Sequence, residues 1–314
     1  MPDDAFVHVP VLLDLVVELL APVPDGLFVD ATLGGGGHAE AVLDAHPGLR
    51  LLGLNRDDAA CAAAAERLAR FGDRVEIVRS GFDQLERLVT DRTNEGASAV
   101  LFDLGVSSPQ LDVAERGFSY RSGGPLDMRM DRRQSFSALD VVNDYSFPQL
   151  ARVLTAFGEE RHAHRIARAI VDARPIVSTE QLASVVRDAI PAPARRHGGN
   201  PAKRTFQAIR IEVNRELEQL ADALDGAVSV LQPGGRVVVM SYHSLEDRMV
   251  KEHLRDASTG GCTCPPGLPC ACGAVPTVRL LKRGAWKADA DEVAANRRSE
   301  SVRVRAAERI PEPA

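Results

Sequence analysis

The stretch ASAVLFDLG (97–105) runs almost without a polar side chain up to a single acid, Asp103. A strand of this kind is buried on both faces, which requires a parallel sheet covered by helices on either side. Three earlier runs have the same character: GLFVDAT (26–32), LRLLGLN (49–55) and RVEIVRS (74–80). Around them lie LLDLVVELL (12–20), HAEAVLDA (38–45) and the Ala-rich DDAACAAAAERLARF (57–71), all with helical character. Strands alternating with helices predict a doubly wound parallel α/β sheet.

The alternation stops near residue 107. From Ser107 to Asn214 the pattern is helical, with amphipathic stretches such as SFPQLARVLTAFGEERHAHRIARAIVDAR (146–174) and STEQLASVVRDAI (178–190). A basic loop, ARRHGGNPAKR (194–204), follows. NRELEQLADALDGAVSVL (214–231) and QPGGRVVVMSY (232–242) then restore a helix, a turn and a strand. The expected organisation is a sheet domain in two parts, 1–106 and 215–314, interrupted by a helical insertion at 107–214. Charge follows the same division. Residues 1–106 carry 8 Lys+Arg against 18 Asp+Glu, and residues 107–214 carry 16 against 12, in a chain whose net charge is −6. A basic middle in an acidic chain suits either a polyanionic partner or a solvated helical surface.

Composition narrows the class further. Of 314 residues, 45% are hydrophobic and 26% charged, ordinary for a globular protein. No apolar stretch reaches the ~20 residues that span a bilayer. Asp3 and Asp4 precede the first apolar run, the wrong sign for a secretory signal, so a cytoplasmic location is expected. Cys61 stands alone, while the other four cysteines form C-x-C-x5-C-x-C over 262–272. Cys262, Cys264, Cys270 and Cys272 could close a tetrahedral zinc site or remain reduced surface thiols, and the spacing is tighter than the usual C-x2-C pairs.

Gly34 to Gly37 fall between the first strand and the helix after it. Bare backbone at that turn, with helix N–H groups behind it, is where an adenosine-containing cofactor meets an open parallel sheet. The spacing is neither G-x-G-x-x-G nor G-x-x-x-x-G-K-[ST], which disfavours a dinucleotide or a triphosphate loop and suits S-adenosylmethionine. Asn55 ends the second strand about 20 residues on, where a polar group meets a ribose. Asp103 ends the fourth strand, where an acid can accept hydrogen bonds from an amino group of the cofactor or of a base, or can cap the next turn. Ser241, Tyr242 and His243 follow the next strand and are expected at the same crevice or in a structural turn. VAANRRSESVRVRAAER (293–309) reads as a final edge strand, with RNA contact by Arg297 and Arg298 as the alternative.

Several long motifs together resemble the RsmH (MraW) family: DATLGGGGHAE, FDLGVSSPQLDVAERGFSYRSGGPLDMRMD, FGEERHAHRIARAI, NPAKRTFQAIRIEVNRELE and PGGRVVVMSYHSLEDRMVK. The resemblance runs from about His8 to the end. It implies a class I S-adenosylmethionine-dependent methyltransferase with an inserted helical domain for substrate. The implied reaction is methylation of the exocyclic N4 of a cytidine in the decoding region of 16S ribosomal RNA, with the small ribosomal subunit as partner and room for a homodimer. By motif, Gly36, Gly37 and His38 would line the methionine part of the cofactor. Asn55 would meet the ribose, Phe82 would lie beside the adenine, and Asp103 and Gln110 would complete the site facing the transferred methyl. Two positions depart from the family pattern: Asn55 stands where aspartate is usual and Asn200 where histidine is usual. The first bears on cofactor affinity and the second on RNA engagement. The rival readings are another class I methyltransferase, a nicotinamide-dependent oxidoreductase, and an RNA-binding relative with weakened cofactor binding.

Overall fold

The computed structural model describes residues 10–121, 123–192, 200–265 and 271–311. The chain divides into two compact units, Met1–Gly105 with Glu218–Ala314, and Val106–Leu217.

The first unit is built on a seven-stranded sheet: β1 (Gly26–Asp30), β2 (Leu49–Asn55), β3 (Val75–Arg79), β4 (Ala97–Asp103), β5 (Leu231–Ser241), β6 (Val278–Leu280) and β7 (Arg303–Arg309). Its order is β3-β2-β1-β4-β5-β7-β6. β1 to β5 pair in parallel, whereas β7 pairs antiparallel with both β5 and β6. This order, with one reversed strand next to last, is a doubly wound sheet whose strands are parallel apart from β7. The chain steps outward from β1 through β2 to β3, then returns to place β4 on the other flank of β1. The strand order therefore reverses between β1 and β4, and the crevice beyond their carboxyl ends is where an open α/β sheet receives a ligand.

The apolar runs are apolar because both sheet faces are covered. Leu27 and Val29 of β1 pack with Leu52, Leu54, Phe102, Leu224 and Val250 on one side. Phe28, between them, faces Val16, Leu20, Val42, Leu51 and Leu101 on the other. Alternate residues thus enter different cores, as a strand's two-residue period dictates.

β7 departs from the expected edge strand. It lies inside the sheet, because the three-residue β6 pairs with it and takes the edge. Its alternation persists there, since Val304 and Ala306 are buried while Arg303 and Arg305 are only partly covered.

The second unit is helical among its described residues, apart from an isolated bridge between Pro125 and Ser178. It has its own core, including Met128, Val142, Leu154, Ile166, Ile170, Leu182 and Ile209. Helices Ala138–Asp144 and Phe147–Gly158 begin with capping boxes at Ser137 and Ser146. In each, a side chain satisfies N–H groups that the first turn leaves free.

Candidate active site

The carboxyl ends of β1 and β4 are tied together through short polar bonds. The Asp103 amide donates to Thr32 Oγ1 at 2.5 Å, and the Thr32 amide donates to Asp30 Oδ1 at 3.1 Å. Asp30 is buried, and burial is the main cause that pushes its carboxyl up to about 7, with Asp103 adding to the rise and His38 opposing it. A carboxyl that titrates near neutrality at a strand end is a frequent mark of a functional site. Nothing in the sequence reading singled out Asp30, although its position, an acid closing an apolar strand, matches that of Asp103.

Asp103 sits between two partners. Tyr242 donates its hydroxyl to Asp103 Oδ1 at 2.7 Å, and His38 Nδ1 lies 3.6 Å from Oδ2. Burial first, then the Asp103 charge, drives the Tyr242 phenol well above its ordinary value, so it stays protonated and remains a donor. Among the described residues, no backbone N–H of the following turn donates to Asp103, so the cap reading finds no support. His38 is buried at the start of helix Gly37–Ala45, and its Nε2 lies 2.9 Å from the Val11 carbonyl oxygen. A carbonyl only accepts, so Nε2 carries the proton. In the neutral ring Nδ1 is then an acceptor that faces a carboxylate. Protonated at Nδ1 as well, the same ring forms an ion pair with Asp103 across that 3.6 Å.

The four glycines divide by cause. Gly34 (φ 52°) and Gly36 (φ 80°) occupy the left-handed region that disfavours a side chain. At Gly37 a Cβ would come within 2.6 Å of Pro10 Cγ, so packing explains it. Gly35 has neither reason: a Cβ there would meet nothing within 4 Å. That open space in front of the turn fits a ligand lying against main chain.

At the end of β2, Asn55 Oδ1 accepts the Asp57 amide at 2.8 Å, which fixes the side-chain amide and leaves Nδ2 and the second lone pair of Oδ1 to offer outward. Phe82 follows β3 in a short 3-10 turn, half-buried, edge-on to Phe102 at 6.1 Å, with the Arg56 guanidinium 5.6 Å from its ring centre. Arg56 is held by Asp83 at 3.1 Å. Gln110 belongs to the second unit, where it is buried and accepts the Ser107 amide at 3.1 Å.

Of Ser241, which ends β5, and the two residues after it, Tyr242 is the one that bonds to Asp103 among the described residues. His243 instead caps helix Ser244–Thr259, its ring accepting the Glu246 amide at 3.3 Å. Ser241 is buried in the strand. Arg298 lies in a 3-10 turn whose cap is Asn296 and is among the charges acting on Tyr242.

The whole-chain comparison decides the family. Residues 5–310 match the model described as the MraW methylase family. The chain belongs to the MraW methylase family. It is 53% identical over 313 residues to the ribosomal RNA small subunit methyltransferase H of Thermobifida fusca, covering 98% of this chain and 94% of that protein. The protein of the same description from Salinispora tropica is 54% identical over 315 residues, covering 96% and 84%. Among solved structures, an rRNA methylase from Streptococcus thermophilus is similar with a TM-score of 0.43 and 12% identity, covering 98% of this chain and all of that one. In this MraW family member, no helix of the described residues is long and apolar enough to cross a membrane.

Proposed function

We propose that this chain methylates the exocyclic N4 of a cytidine in the decoding region of 16S ribosomal RNA, within the small ribosomal subunit and in the cytoplasm. S-adenosylmethionine is the methyl donor, supplying an electrophilic methyl on a sulfonium. Membership of the family and the description shared by its close relatives support ribosomal RNA as the substrate. The observation that carries the chemistry is Asp103, held by Tyr242 and faced by His38 at the point where the strand order reverses.

The cytosine amino nitrogen is a poor nucleophile, because its lone pair is delocalised into the ring. The protein must therefore hold it in line with the methyl and accept a hydrogen bond from it, which concentrates electron density on nitrogen. Asp103 has the free lone pairs to do so, since Tyr242 uses only one position on Oδ1. Tyr242 orients the carboxylate without competing for the proton. Gly36, Gly37 and His38 line the methionine part, with Gly35 giving main-chain access. Asn55 meets the ribose and Phe82 flanks the adenine. As the new N–C bond forms and the S–C bond breaks, the amino proton leaves toward Asp103 or solvent.

The test is methyl transfer from S-adenosylmethionine to small ribosomal subunits, followed by digestion of the RNA and mass spectrometry of its nucleosides. N4-methylcytidine is expected. Methyl on another base, or binding of NAD without binding of S-adenosylmethionine, would overturn the proposal. Asp103→Asn keeps an acceptor but loses the charge. It should lower kcat at least about tenfold with little change in cofactor affinity, whereas a selective loss of cofactor affinity would reassign Asp103 to binding.

A further inference from the structure

The first unit also carries a cluster of thiols besides the residues around Asp103. The sulfurs of Cys262, Cys264 and Cys272 lie within 4.8 Å of one another. Local backbone explains how they meet. Helix Ser244–Thr259 ends on Gly260 (φ 63°) and Gly261 (φ 70°), two left-handed residues that turn the chain sharply. The Gly261 amide donates to Asp256 O at 2.9 Å and the Cys262 amide to Thr259 O at 3.3 Å. The chain then comes back to the same helix end, where the Thr277 amide donates to Ala257 O at 2.9 Å before β6 begins. The excursion thus starts and finishes at one place, which brings Cys272 back to Cys262.

The distances indicate what the sulfurs share. Cys272 Sγ donates a hydrogen bond to Cys262 Sγ across 3.6 Å, a spacing that a shared metal also permits. A disulfide would need about 2.05 Å. Two thiolates on one tetrahedral zinc, each at about 2.3 Å, stand roughly 3.8 Å apart. The donor set is all sulfur, which selects a soft or borderline metal over magnesium or calcium. The Ala271 and Cys272 amides hydrogen-bond to the Cys264 sulfur, the kind of outer support that metal-bound thiolates receive. The described residues around the sulfurs, 261–265 and 271–276, are mostly exposed.

We infer that Cys262, Cys264 and Cys272 bind a zinc ion in a structural site beside the C-terminal end of helix Ser244–Thr259. Each coordinating thiol releases its proton to solvent, and the zinc keeps its oxidation state. The three sulfurs take three tetrahedral positions. Cys270, the remaining thiol of the motif, lies outside the described residues.

The test uses the full chain, reduced, stripped of metal, reconstituted with zinc and passed through gel filtration. About one zinc per chain should be retained, and zinc should protect the clustered thiols from a thiol reagent while Cys61 stays reactive on unfolding. Cobalt(II) in place of zinc should give the intense charge-transfer absorption of tetrahedral thiolate coordination. Cys264→Ser and Cys272→Ser should weaken metal retention by more than about tenfold, Cys272→His should restore part of it, and Cys61→Ser should leave it intact. Calorimetry with S-adenosylmethionine reports that each variant is folded. No zinc retained by the full chain would overturn the inference. So would equal loss in Cys61→Ser, or a metal-free product two mass units lighter, which would mean a disulfide.

Discussion

At the scale of single residues, Asn55 and Asp30 make opposite uses of an amide and a carboxyl. Asn55 commits one lone pair of its carbonyl oxygen to the Asp57 amide, so toward a ribose it offers one neutral acceptor position and the Nδ2 donor. An aspartate could keep that turn with one oxygen and offer the other as a charged acceptor. Charge-assisted hydrogen bonds are about twice as strong as neutral ones, which contribute about 1 kcal/mol net. Asn55→Asp should therefore bind S-adenosylmethionine roughly fivefold more tightly, and calorimetry on the two forms checks it. Equal or weaker binding would mean that residue 55 does not meet the ribose. Asp30 is the reverse case, a carboxyl held near 7 by burial. Between about pH 4 and 7 the folded chain keeps a proton there that the unfolded chain has lost. Stability must then fall as pH rises through that window, by up to about 1.4 kcal/mol per pH unit for this one group. Asp30→Asn cannot ionise and still accepts the Thr32 amide, so urea unfolding should show the variant gaining on the parent from pH 5 to 7 and running parallel above that. A difference that does not vary with pH would mean that Asp30 titrates normally.

At the scale of elements, the glycine turn between β1 and helix Gly37–Ala45 separates folding from binding. Gly36→Ala would place a Cβ at φ 80° and 3.2 Å from Leu68 Cδ1. The left-handed backbone alone costs about 1–2 kcal/mol, and chemical denaturation should register at least that loss. Gly35→Ala meets no atom of the chain, so its stability should stay within about 0.5 kcal/mol of the parent. Its affinity for S-adenosylmethionine should nevertheless fall, because the added methyl enters the space assigned to the ligand. Parent-like affinity in Gly35→Ala would move the cofactor off this turn. The same scale explains which elements were hard to foresee. β6 has three residues, VRL, too few to show a period of two, and its place depends on pairing with β7. β7 has a clear alternation, but alternation does not say whether a strand lies at an edge or inside a sheet.

At the scale of the whole molecule, the proposed function divides the tasks by charge, with cofactor handling on the acidic sheet unit and RNA contact on the basic helical segment. Lys203 and Arg204 are exposed at the start of helix Lys203–Asn214, where Arg204 also donates to Glu159 O at 3.1 Å. Asn200, just before them, is exposed and accepts the Ala202 amide at 2.9 Å. Arg195 and Arg196 lie outside the described residues. If Lys203 and Arg204 contact phosphates, each should contribute roughly 0.7–0.9 log units of affinity per log unit of salt. Replacing both with alanine should flatten the salt dependence of RNA binding by about twice that amount and leave cofactor affinity unchanged. An unchanged slope would move the RNA surface elsewhere.

Elements whose cause is local or periodic can be read directly from the order of the residues. Apolar strands 26–32, 49–55, 74–80 and 97–105, the amphipathic helices of the middle segment and the glycine turn are all legible there, because burial on two faces, a 3.6-residue period and a left-handed turn each leave a mark on neighbouring residues. Asp103 and Asn55 were legible for a related reason, as polar residues closing apolar strands. Tertiary structure alone decided what those residues touch. Tyr242 meets Asp103 across 139 positions of sequence, and His38 reaches back 27 residues to Val11 while facing Asp103. The raised carboxyl of Asp30 arises from complete burial combined with charges on two other elements. Hydrogen bonds and desolvation act over a few ångströms in space, and only the folding of β1, β4 and β5 side by side makes those residues neighbours.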